Sequence, residues 1–278
     1  MNTIDLHVHS NASDGTLTPS EVVCLAKKNN LSAIALTDHD TVDGISEAIE
    51  QGKKSGVEII PGIELSSSYA AREIHIVGLF VDYRNEEFLY ELKKLNEVRN
   101  RRNEQMAEKF CQMGINISIN ELMAEYPDAI ITRAHFASYL HKKGYVSSVK
   151  DAFDRYLNDH GPCFVPRYKM PSEDTIKLIH KVGGLAILAH PILYKLGADA
   201  LKELVRYLTQ NGLDGIEAMY STYTPGDEVC IRKLAKENGL LLSGGSDFHG
   251  DNKPFIKLGT GKGTLNIPYG ILQELKNN

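Results

Sequence analysis

Seven apolar runs of seven to nine residues alternate with amphipathic stretches along most of this 278-residue chain. They are TIDLHVH (3–9), SAIALTD (32–38), VEIIPGIEL (57–65), EIHIVGLFV (73–81), GLAILAH (184–190), DGIEAMY (214–220) and LLLSGGSD (240–247). Apolar strands alternating with helices predict a parallel sheet covered by those helices. Helical spacing occupies 19–30, 45–56, 172–183, 198–212 and 226–239. Pro19 stands where a first turn would begin, and Gly56, Gly183, Gly212 and Gly239 stand where helices should stop. Seven strands favour a closed or distorted (β/α)7 barrel over a three-layer sandwich. From about 84 to 168 the alternation breaks into a long charged helix (86–113) and mixed segments containing ITRAHFASYLHKKG and DAFDRYL. The expected organisation is α/β, with a barrel from 1–83 and 169–278. Residues 84–168 form a mostly helical insertion capping the barrel's C-terminal mouth.

A net charge of −5 argues against a broad nucleic-acid-binding face but not against a local basic pocket. The four cysteines are scattered without a C-x-x-C pair, as in a reduced protein. No leader pattern or membrane-length apolar run is present, so a soluble cytoplasmic chain is expected. Neither G-x-G-x-x-G nor G-x-x-x-x-G-K-[ST] occurs, which removes the common nucleotide-cofactor folds.

Barrel enzymes keep their chemistry at the C-terminal ends of the strands. The first run carries His7 and His9, followed by Asp14. Strand alternation predicts that Asp5, His7 and His9 share one face and Leu6 and Val8 the other. The second run leads into TDHDT, with Asp38, His39 and Asp40; the third ends with Glu64, and the fourth holds His75. His190 closes the fifth, and Asp247 and His249 follow the seventh. Six of the ten histidines therefore stand at or near strand ends, with three carboxylates beside them. Core histidines would scatter, as His141, His160 and His180 do. Nine such groups exceed the needs of one ion, and mixed imidazole–carboxylate sets suit zinc, iron or manganese.

In order, the motifs D-L-H-V-H-S, T-D-H-D, G-I-E, H-I-V-G, A-H-P and S-D-F-H resemble the polymerase-and-histidinol-phosphatase (PHP) superfamily. TLTPSEV, ITRAHFA and GGLAILAHP are similar to its nucleoside-3′,5′-bisphosphate phosphatases and 5′→3′ exoribonucleases. The resemblance implies a distorted seven-stranded barrel holding three divalent ions (Mn, Fe or Zn). His7, His9, Glu64 and Asp247 would hold one. Glu64 would bridge to a second with His75 and His190, and Asp14, His39 and His249 would hold a third.

A net positive cavity of this kind suits a phosphate, and metal-activated water would hydrolyse its ester without a covalent enzyme intermediate. The general acid stays open between His39, Asp40 and a bound water. Asp14 and His39 would also face the substrate. Its second phosphate and ribose would meet basic and polar residues of two segments. These are Arg99, Asn100, Arg101 and Arg102 of EVRNRR, and Arg133 and His135 of ITRAH; Arg167 and Lys169 are weaker candidates. The expected substrate is a small nucleotide phosphate, above all the 3′-phosphate of a nucleoside 3′,5′-bisphosphate, with short 5′-phosphorylated RNA as a second substrate. No membrane and no obligate protein partner is expected. The alternatives are a histidinol-phosphate phosphatase and a non-catalytic, metal-stabilised module.

Overall fold

The computed structural model describes residues 2–127 and 129–278. Its strands are β1 (Thr3–Val8), β2 (Leu31–Leu36), β3 (Glu58–Tyr69), β4 (Arg72–Leu79), β5 (Met170–Pro171), β6 (Leu185–Leu188), β7 (Gly215–Tyr220), β8 (Leu241–Gly245) and β9 (Ile267–Pro268). They form one sheet in the order β8-β7-β6-β4-β3-β2-β1-β9, with β5 beside β3. The sheet nearly closes into a barrel where the end of β8 meets β1. There Asp247 N–H donates to the His7 carbonyl at 2.9 Å and His9 N–H to the Phe248 carbonyl at 3.0 Å. This approach demands glycine at 245, because a Cβ there would lie 2.1 Å from that of His7.

The helices are α1 (Pro19–Lys28), α2 (Ile45–Ser55), α3 (Glu86–Gln112), α4 (Ile119–Glu125), α5 (Arg133–Lys142), α6 (Val149–Ala152), α7 (Ser172–Lys181), α8 (Ala198–Gln210), α9 (Pro225–Asn238) and α10 (Tyr269–Lys276). Local chemistry sets their ends. Thr18 and Glu21 make a capping box ahead of Pro19 in α1, and Thr224 and Asp227 do the same for α9. Among the described residues, no helix is long and apolar enough to cross a membrane.

Two local expectations change. β4 runs antiparallel to both β3 and β6, so the sheet is not wholly parallel. Only Ala70 and Ala71 join β3 to β4, both at positive φ, and such a hairpin turn leaves no room for a crossover helix. The alternation of β1 also breaks. Its pairing with β2 shifts register between Asp5 and Val8, so Leu6 packs with Ile4 while Val8 joins a different core. Asp5 is drawn off to the backbone N–H groups of Ser246 and Gly259, both at 2.8 Å, and does not share the histidines' cluster.

Three cores result. One fills the space between sheet and outer helices, with Ile34, Leu36, Val22, Ile179, Leu204 and Ile231. A second lies inside the barrel, where Leu6, Ala35, Val77 and Ile187 meet Leu272 and Leu275 of α10. The third gathers residues between 106 and 165, around Met106, Phe110, Phe136 and Leu157. Helix α3 spans two of them: Phe88, Leu92 and Leu95 join the barrel's outer core, and Met106 and Phe110 the third. The helical turn between those anchors carries Arg99 and Arg102 on its buried side.

Candidate metal centre

Six histidines and three carboxylates converge at the barrel mouth. Glu64 lies at their centre. Its Oε2 is 3.2 Å from His7 Nε2, 3.3 Å from His9 Nε2 and 3.1 Å from His39 Nδ1. Its Oε1 is 2.8 Å from His75 Nδ1 and 2.9 Å from His190 Nε2. Asp247 Oδ1 lies 3.8 and 3.4 Å from the Nε2 atoms of His7 and His9, which are themselves 3.1 Å apart. Asp14 Oδ1 is 3.2 Å from His249 Nε2, and Asp14 Oδ2 is 4.0 Å from His39 Nε2.

These spacings fit bound cations. Ligand atoms placed tetrahedrally at about 2.0–2.1 Å from an ion lie roughly 3.4 Å apart. Three groups bring their donor atoms within 4.8 Å of one another: His9, Asp14, His39 and His249; His7, His9 and Glu64; and His39, Glu64 and His75. Buried Asp14 Oδ1 and His39 Nδ1 have no hydrogen-bond partner among the described residues, as expected of atoms that answer to an ion.

The electrostatics agree. Burial opposes ionisation of Glu64, yet charged His7 and His75 outweigh it and hold the carboxyl well below its usual range. Burial likewise opposes ionisation of Asp247, but Lys253 and His249 keep it charged. Burial pushes His39 down to about 3, leaving a neutral imidazole, the form that ligates metal. In His75 the carboxylates of Glu64 and Glu73 overcome burial and push the ring up to about 10, so cation binding there must displace a proton.

Sequence reasoning gave no role to the groups that orient these side chains. Glu217, in the middle of β7, accepts His7 Nδ1–H at 2.8 Å, which turns Nε2 toward the cluster, and accepts the His190 backbone N–H at 2.7 Å. A lone glutamate inside the apolar run DGIEAMY was the available signal. Asp38 accepts Ser10 N–H at 2.8 Å and Ser13 Oγ–H at 2.6 Å, folding the loop that delivers Asp14. Tyr220 and Lys253 donate to Asp247 Oδ2 at 2.5 and 2.6 Å. Asp40, His190 and Asp247 hold positive φ, backbone strain of the kind that gathers at functional sites. Glu217→Ala should weaken metal binding about ten- to a hundredfold. Chelator competition checks this, with unchanged affinity as the opposing result.

Beside the cluster opens a pocket lined by His39, His75, Arg99, Arg102, Arg133, Arg167 and Lys169, with Phe153 and Phe164 as aromatic wall. Four sequence candidates do not serve it as expected. Asn100 and Arg101 are exposed, because a helical turn of about 100° per residue points them away from the face of Arg99 and Arg102. His135 is buried as the cap of α5, its Nδ1 accepting Thr132 N–H at 2.9 Å, and is not in the pocket lining. Asp40 is no free proton donor. Its Oδ1 accepts Ser66 N–H at 2.9 Å and its Oδ2 is paired to Arg99 and Arg167. Arg167 and Lys169, the weaker candidates, both line the pocket.

The matching family model is the PHP domain, over residues 5–162. The chain is 37% identical to the 5′-3′ exoribonuclease Rnm of Escherichia coli, over 96% of this chain and 90% of that protein. It is 34% identical to the 3′,5′-nucleoside bisphosphate phosphatase of Chromobacterium violaceum, over 90% of this chain and 88% of that one. A solved amidohydrolase structure from Chromobacterium violaceum, with bound sulfate, superposes with a TM-score of 0.89 at 32% identity, covering 99% and 96% of the two chains. The chain belongs to the PHP domain family. It is a phosphoester hydrolase built around a metal centre.

Proposed function

We propose that this protein removes the 3′-phosphate from a nucleoside 3′,5′-bisphosphate, using His7, His9, Asp14, His39, Glu64, His75, His190, Asp247 and His249 to hold three divalent ions. Short 5′-phosphorylated RNA is its second substrate class, a reading supported by the 37% identity to an exoribonuclease. The carrying observation is a second anion-seeking region beside the metal ligands. Arg102 is buried and makes no ion pair among the described residues, and its Nε, like that of Arg99, lacks a partner. Burial and the neighbouring Arg167 and Arg133 push the Arg102 guanidinium down to about 9, so it stays charged at neutral pH and its charge is costly without an anion.

Bound ions would supply Lewis acidity toward the phosphoryl oxygens and a water acidic enough to attack at neutral pH. The protein's own contribution is placement. Asp40 fixes Arg99 and Arg167 in the pocket, so their charges meet the unreacting 5′-phosphate with little reorganisation. Phe153 and Phe164 give the nucleoside an apolar wall. His39, set between Glu64 and Asp14, is committed to the ligand set rather than to proton transfer. A pocket with four arginines and a lysine disfavours the cationic imidazole of histidinol phosphate. Phosphorus NMR on adenosine 3′,5′-bisphosphate tests the reading. The expected product is the 5′-monophosphate; equal loss of both phosphates, or no hydrolysis, would overturn it.

A further inference from the structure

The metal-side pocket does not end at its basic wall. Glu73, Phe164, Arg167 and Lys169 line it on one side and, on the other, line a second cleft of ≈ 570 Å³. That cleft continues over Arg72, Pro166, Leu193 and Tyr194. Two other surface clefts, one around Phe248 and Lys257 and one around Asp43 and Lys93, share no lining residue with the metal-side pocket. Continuity therefore gives a longer substrate a direction in which to extend. The cleft also adjoins the Glu64–His75–His190 group, because the Tyr194 hydroxyl accepts His75 N–H at 2.9 Å and donates to the Ala189 carbonyl at 2.8 Å.

We infer that this cleft is the subsite for the nucleotide following the scissile phosphate of a short RNA, an inference that rests on the RNA reading above. The chemistry is that of the bisphosphate reaction. A water oxygen bonds to phosphorus, the P–O3′ bond breaks, and O3′ takes up a proton to complete a 5′-mononucleotide. The remaining chain keeps the phosphate and leaves the cluster along the side where Tyr194 meets His75 and Ala189, which is where this cleft opens. The cleft offers that chain what single strands use elsewhere: cations for phosphates, from Arg72 and Lys169, and apolar faces for bases, from Phe164 and Leu193. Glu73, 3.1 Å from Lys169 Nζ at the junction, favours a sugar hydroxyl over a phosphate at that point.

Arg72 and Leu193 are exposed and lie outside the metal-side pocket, so their substitution leaves the basal reaction intact. The test compares kcat/KM for adenosine 3′,5′-bisphosphate and for 5′-phosphorylated triadenylate RNA in wild type, Arg72→Ala and Leu193→Asp. The expected result is a loss of about three- to tenfold on the RNA, with the bisphosphate unchanged within about twofold. Arg72→Ala should also flatten the salt dependence for the RNA by about 0.7 in log–log slope, one phosphate contact on a single strand. Equal losses on both substrates would overturn the inference by assigning the cleft to the terminal nucleotide. No loss on either, or a wild type that hydrolyses the bisphosphate and spares the RNA, would overturn it too. A wild type inert toward both would instead remove the nucleotide reading beneath it.

Discussion

Glu64→Gln should lower kcat/KM by about a thousandfold, roughly 4 kcal/mol of transition-state stabilisation, on every phosphoester tested. The substitution keeps the side chain's volume and removes its charge, so the barrel should stay folded. What it removes is the group shared by five imidazoles, since both Glu64 oxygens lie 2.8–3.3 Å from the ring nitrogens of His7, His9, His39, His75 and His190. Metal content should fall by at least one equivalent in the same protein. Near-normal turnover with full metal content would mean that Glu64 does not bridge.

Arg99→Ala should separate nucleotide recognition from catalysis. A charge-assisted hydrogen bond contributes roughly 1.5–3 kcal/mol, so kcat/KM on adenosine 3′,5′-bisphosphate should fall about ten- to a hundredfold. A simple aryl phosphate has no second phosphate to lose and should be turned over almost as before. Arg102→Ala, Arg133→Ala and Arg167→Ala should follow the same pattern, with Arg133 the mildest because Asp159 at 2.8 Å already occupies it. Arg101→Ala, on the solvent face of α3, should change neither activity. Equal losses on both substrates would make the arginines supports of the metal site.

The clustering of the nine candidate side chains was legible because its signals are local. His7 and His9, two apart at the end of β1, and the Asp247–His249 pair after β8 sit where a barrel gathers its strand ends, so a strand count was enough to bring them together. The direction of β4 was not legible, since an apolar strand looks the same whichever way it runs, and two alanines in an αL turn carry none of the usual Asn-Gly signature. The register shift in β1 was hidden for a similar reason: a bulge is a property of the pair of strands, not of either sequence. EVRNRR promised a patch of four polar residues, but which side of α3 faces the pocket depends on where Leu95 and Met106 find their separate cores. His135 misled because a capping histidine and a substrate-binding one look identical in sequence. Glu217 acts across the barrel on His7, at a sequence separation of 210, which no local pattern reveals.

Elemental analysis of protein purified without chelators, carried out alongside an activity titration, tests the metal-centre account most directly. The account requires three divalent ions per chain, with hydrolysis of adenosine 3′,5′-bisphosphate rising as the sites fill and lost on their removal. Full activity in a chain carrying less than one equivalent of metal would contradict it.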